Sequence, residues 1–184
     1  MSEIDKLFYK LLDTKYDLER EDEGIEILKQ EPKLALMKWT GPDDKGTPFC
    51  YGSTALHYAA NDGKLKLMKA IIEAGADVNS DECTWYASPL SWAANNAHLD
   101  AIKLLIKHGA WIKSANAVHA AAFGGSSCGK NKTEAYVDCL KYLIEHGANK
   151  NDRRFRDSLT PLGLALESGN QAAVSYLESI DAEK

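Results

Sequence analysis

The stretch STALHYAANDGKLKLMKAIIEAGADVN, beginning at Ser53, returns as ASPLSWAANNAHLDAIKLLIKHGAWIK from Ala87. Six positions coincide at one constant offset: Leu56/Leu90, Ala59/Ala93, Ala60/Ala94, Leu65/Leu99, Gly75/Gly109 and Ala76/Ala110. A third copy begins NAVHAAAFGG and resumes DCLKYLIEHGANKN, and a fourth begins LTPLGLALESGN and ends AAVSYLESI. A chain that repeats itself at this period builds similar supersecondary units, none of which can bury its apolar face alone. The units must therefore stack on one another.

Each copy reads as two short helices. Thr54, Ser88 and Thr160 are N-cap residues, and Pro89 and Pro161 follow at first helical positions. Paired alanines at 59–60, 93–94 and 121–122 let helices approach closely. The second helices carry apolar residues at helical spacing: Leu67, Ile71 and Ile72; Ile102, Leu105 and Ile106; Leu140, Leu143 and Ile144. Gly75, Gly109 and Gly147 are placed to stop them.

The run Thr54-Ala55-Leu56-His57-Tyr58-Ala59-Ala60, followed by Ile71-Ile72-Glu73-Ala74-Gly75-Ala76-Asp77-Val78-Asn79, resembles the ankyrin repeat. The resemblance covers roughly Phe49 to Ile180. It implies an all-α, ankyrin-repeat α-solenoid with short β-hairpin fingers. About five units are expected, within one domain over residues 1–184. These are a degenerate capping repeat with a long connection (1–48), repeats at 49–82 and 83–114, a repeat with an insertion (115–151), and a C-terminal capping repeat (152–184). In the first, Ile4, Leu7, Phe8, Leu11 and Leu12 form one helical face. Ile25, Ile27 and Leu28 mark a second helix, ended at Pro32. In the last, Glu178 stands where the alignment places Ile72, as suits an outer surface.

Charge narrows the partner class. The net charge of −5 lies in residues 1–31, with ten Asp/Glu against five Lys/Arg, while acids and bases balance over the rest of the chain. An acidic segment with no basic stripe argues against nucleic acid. No apolar run reaches ~18 residues, so no membrane span is expected. The opening MSEIDKLFYKLLD lacks the n-region and h-region of a signal peptide. Cys50, Cys83, Cys128 and Cys139 form no C-x-x-C pair. Reduced thiols and a cytoplasmic location are expected.

The segment FGGSSCGKNKTE, Phe123 to Glu134, spells G-x-x-x-x-G-K from Gly124, one residue short of a phosphate-binding loop. Register argues against that reading. Ala60 to Gly75 and Ala94 to Gly109 are equal in length, but Ala122 to Gly147 is ten residues longer. The ten extra residues, near 124–133, are an insertion between two helices. A phosphate loop must follow a strand; NAVHAAAF is helical in pattern, and Asn131 occupies the position that needs Ser or Thr. The connections Gly75–Leu90 and Gly147–Leu162 are also equal in length, whereas Gly109–Val118 is six residues shorter, leaving one short finger.

No catalytic constellation emerges. His57 and His119 occupy the motif's own His position, where the resemblance implies an imidazole that bridges neighbouring repeats. His98 begins a second helix, and His108 and His146 precede helix-ending glycines, where a cation suits the dipole. There is no G-x-S-x-G and no H-E-x-x-H. No enzyme activity, cofactor or metal is expected.

The resemblance places partner binding on a concave face of fingertips and exposed first-helix positions. The fingertips hold Phe49, Cys50 and Tyr51, then Thr84, Trp85 and Tyr86, then Arg154, Phe155, Arg156 and Asp157. The helix positions are Asn61 and Asp62, Asn95 and Asn96, Phe123 and Gly124, and Glu167 and Ser168. Trp111 replaces the motif's Asp. Tyr58 and Trp92 share one aligned position, facing either the groove or the finger base. Trp, Tyr and Arg dominate interface energetics, so these aromatics either meet a partner or pack between fingers. The expected function is non-catalytic binding of a specific partner protein by a chain that is monomeric alone. Trp85, Tyr86, Tyr51, Asn95 and Phe155 are the expected anchors. The alternatives are an immunity- or antitoxin-type inhibitor of a partner enzyme, and an enzyme or nucleotide binder using the 123–134 loop.

Overall fold

The computed structural model describes residues 3–12, 20–40, 50–81, 88–113, 116–124, 133–153 and 158–183. The chain divides into two compact units, Met1–Pro89 and Leu90–Lys184. Its described residues are all-α. The helices are α1 (Glu3–Leu12), α2 (Arg20–Gln30), α3 (Ala55–Asn61), α4 (Leu65–Glu73), α5 (Pro89–Asn95), α6 (Leu99–Lys107), α7 (Ala117–Gly124), α8 (Thr133–Glu145), α9 (Pro161–Ser168) and α10 (Gln171–Ser179), with a 3-10 helix at Pro32–Leu36. The expected β-hairpin fingers are not seen among the described residues, where β pairing is limited to one antiparallel bridge, Lys38 with Thr54. Two of the expected fingertips fall outside the described residues, and the short Gly109–Val118 connection leaves little room for a ladder.

In the first unit, α1 packs on α2 and α3, and α2 and α3 pack on α4. The predicted N-terminal helix pair thus stacks on the next pair. Phe8, Leu11 and Leu12 of α1 and Leu67, Met68 and Ile71 of α4 are buried. Each such side chain contributes about 1.5–3 kcal/mol when removed from water. Lys64 precedes α4 without capping it. Instead Glu21 of α2 accepts a hydrogen bond from the Leu67 N–H at 2.9 Å, so one helix satisfies another's orphan donor. Before α3, the Thr54 N–H donates to Nδ1 of His57 (3.1 Å), and the Thr54 hydroxyl lies 2.9 Å from the same nitrogen. Since an N–H only donates, Nδ1 is the acceptor.

In the second unit, α7 packs on α8 and α9, α8 on α6 and α10, and α9 on α10. Thr160 caps α9 as predicted, accepting from the Gly163 N–H at 3.0 Å, with Pro161 next. Its hydroxyl also donates to the Glu183 carbonyl at 2.7 Å. His119 of α7 lies within 2.9 Å of the Asp152 carbonyl and 3.1 Å of the Leu159 carbonyl through Nε2. Carbonyls only accept, so Nε2 carries the proton and binds α7 to the following connection, the bridge that the resemblance implies.

Helices α4, α6 and α8 end in the same way. Gly75, Gly109 and Gly147 have φ of +97°, +90° and +103°. Each N–H bonds the carbonyl three residues back, and the following alanine bonds the carbonyl five back: Ile72 and Ile71, Ile106 and Leu105, Ile144 and Leu143. This paired pattern is the Schellman turn, which a Cβ at the glycine would strain.

Candidate partner-binding site

One first-helix position recurs after residues 59–60, 93–94, 121–122 and 165–166. Asn61 is half-buried, while Asn95, Phe123 and Glu167 are exposed. Phe123 is 43% exposed, an aromatic in a column otherwise held by Asn and Glu. Trp111, two residues beyond the Gly109 turn, is 63% exposed, and Tyr51 is 48% exposed. Single surface apolar residues are ordinary, but an indole this exposed leaves much apolar area in water.

The remaining predicted residues behave differently from one another. Tyr58 is 6% exposed and faces the finger base. Its hydroxyl accepts from the Cys50 N–H at 2.7 Å and lies 3.1 Å from the Ser53 hydroxyl. Burial pushes its phenol from 10.0 up to about 12, against the lowering effect of those hydrogen bonds. That position removes Tyr58 from the surface a partner could touch. Trp92, its aligned counterpart, is half-buried. Asn61 donates to Asp62 at 2.8 Å, and Asn96 donates to the Trp92 carbonyl at 3.1 Å, so both amides brace their own helix ends. Phe49, Trp85, Tyr86, Arg154, Phe155 and Arg156 lie outside the described residues.

The insertion conceals a feature that counting alone missed. Measured back from the terminal glycine, α4 and α6 begin at the same place, Leu65 and Leu99, but α8 begins one helical turn earlier, at Thr133. The extra residues thus run past the expected 124–133 and end in an added helical turn, Thr133 to Tyr136. It carries Tyr136, 1% exposed, whose hydroxyl donates to the Asn95 carbonyl at 3.1 Å. The ring lies over Gly124: a Cβ there would stand 2.3 Å from Tyr136 Cε1 and 2.9 Å from the Asn95 oxygen. Gly124, the first glycine of the G-x-x-x-x-G-K spelling, is therefore the last residue of a helix and makes room for a ring. A helix precedes it where a phosphate loop needs a strand, so that geometry is not met. An aromatic three residues after the polar stretch 124–133 was the available signal.

Two exposed leucines were also missed, Leu36 (60%) and Leu166 (44%). Leu166 aligns with the buried Ala60, Ala94 and Ala122, so its register position was readable. Cys139 is fully buried, as an amphipathic helix position suggested, and burial pushes its thiol from 9.0 up to about 12. Among the described residues no three His, Cys, Asp or Glu side chains gather as a metal site. No helix among them is long and apolar enough to cross a membrane.

Comparison with known families agrees with the repeat. A model described as ankyrin repeats (three copies) matches residues 25–116, and a single ankyrin-repeat model matches residues 113–154. A search of curated proteins returned no match.

Proposed function

Since the chain belongs to the ankyrin-repeat family, an all-α repeat solenoid that serves as a protein–protein interaction module, we propose that it binds one specific partner protein without catalysis. The contacts run through connections between repeats and the exposed side of first helices. The observation that carries this reading is the exposure of Trp111 and Phe123 at positions where the repeat pattern places polar residues. Rigid aromatics on a helical scaffold supply large contact area at little entropic cost. Tyr51 offers a similar contact in the first unit. The fingertip residues Trp85, Tyr86 and Phe155 belong to the same proposal by register.

The test is retention from native lysate by immobilised protein, comparing wild type with Trp111→Ala/Phe123→Ala. Both residues are exposed, so the variant keeps its circular dichroism and melting temperature. A protein retained stoichiometrically by wild type and lost by the variant supports the reading. Identical recovery by both, or recovery of nothing, sinks it.

A further inference from the structure

The chain as a whole is acidic, yet residues 101–133 contain five lysines and no Asp or Glu. Three of those lysines, Lys103, Lys107 and Lys113, are described and exposed. Lys103 follows the common surface arrangement, pairing with Asp100 at 3.5 Å one helical turn back. On α8, Lys141 does the same with Asp138 at 3.7 Å. Lys107 and Lys113 lie on either side of the Gly109 turn. His108 and Trp111 are exposed between them.

The backbone fixes this group. Gly109 turns the chain with φ +90°, and the Ala110 N–H bonds the Leu105 carbonyl. Ala110 is buried and Ile112 half-buried, so the intervening Trp111 is held outward, 63% exposed. The Lys113 stem lies across the next turn, its Cε 4.0 Å from where a Gly147 Cβ would be. The carboxylate nearest that turn in sequence is Glu145, exposed at the end of α8.

We propose that the surface Lys107–His108–Trp111–Lys113 is a docking site for an acidic, apolar-containing segment of the partner protein. The proposal rests on the binding reading above and adds the partner's chemistry. Charge complementarity is its basis: the surface supplies cations around an indole, so carboxylates pair with the lysines while an apolar residue covers the ring. Residues 101–133 contribute no carboxylate of their own to repel an acidic segment. The same overall charge disfavours long polyanions such as nucleic acid, whose approach the acidic residues 1–31 oppose.

The test is titration of isotope-labelled full-length protein with a synthetic peptide of glutamate with interspersed leucine, followed by amide chemical shifts at low salt. A glutamine-for-glutamate peptide, oligothymidylate and phosphatidylserine vesicles are titrated in parallel. Expected are shifts centred on residues 107–113, about ten-fold weaker binding of the glutamine peptide, and about ten-fold loss in Trp111→Ala and in Lys107→Glu/Lys113→Glu. Equal binding of the two peptides, shifts centred elsewhere, unchanged affinity in the charge-reversed variant, or tighter binding of oligothymidylate or vesicles overturns the proposal. If the peptide fails while lysate retention still depends on Trp111, only the acidic chemistry falls. If both fail, the binding reading falls with it.

Discussion

Gly124→Ala isolates the interaction that the insertion creates. The new Cβ would stand 2.3 Å from Cε1 and 2.9 Å from Cζ of Tyr136, well inside ordinary carbon contacts of about 3.5–4.0 Å. The ring has little freedom to retreat, being 1% exposed and bonded through its hydroxyl to the Asn95 carbonyl. Overpacking of this kind costs about 1–3 kcal/mol. The higher helix propensity of alanine returns about 0.5–1 kcal/mol. The substitution should therefore cost up to about 2.5 kcal/mol in urea unfolding, at an unchanged m-value. Tyr136→Ala alone should cost about 3–5 kcal/mol. In that background the ring clash is gone and only the Asn95 oxygen, at 2.9 Å, opposes the methyl. There Gly124→Ala should still carry a cost, since a backbone oxygen cannot swing aside, but one smaller by about 1 kcal/mol or more than in the wild type. A cost that is the same in both backgrounds, within the ~0.5 kcal/mol error of additivity, would refute the packing argument.

Other expectations can be checked with the same unfolding assay. Thr160→Ala removes both the α9 cap and the bond to the Glu183 carbonyl, and should cost about 1–2 kcal/mol, while Thr160→Ser should keep most of it. Glu21→Ala should cost about 1 kcal/mol by uncapping α4 from a remote part of the sequence; no loss would mean water replaces the carboxylate equally well. The Cys139 thiol and the Tyr58 phenol, each raised by burial to about 12, hold protons in the folded state at pH values where the unfolded chain has released them. Stability should therefore be unaffected by these groups below pH 9.0 and fall as pH rises from there towards about 12. Cys139→Ala combined with Tyr58→Phe should flatten that alkaline slope, and an unchanged slope would assign it to other groups.

Much of the fold was legible because the signals recur. The helix-ending glycines, the Thr54 and Thr160 caps and the paired alanines each appear at corresponding places, and each has a local physical cause. The site was less legible because burial depends on neighbours. Tyr58 and Trp92 occupy one aligned position, yet only Tyr58 is fully drawn in. Its hydroxyl meets Ser53 and the Cys50 N–H, and the residue aligned with Ser53 in the next repeat is Ala87, which has no hydroxyl to offer. Tyr136 was missed for a related reason. Counting between Ala122 and Gly147 gives the size of an insertion but not how much of it continues a helix.

The three glycine turns also define where this chain tolerates change. The intervals Gly75–Gly109 and Gly109–Gly147 are nearly equal in length, although the latter has lost six residues on one side of α7 and gained ten on the other. Because each turn re-establishes the same helix exit, length differences on either side of α7 end at the turn and are not passed to the next repeat. The interval between Gly109 and Gly147 is thus an exchangeable cassette. Sequence changes confined between Gly124 and Thr133 would leave the Gly109 and Gly147 turns and the Tyr136 contact untouched.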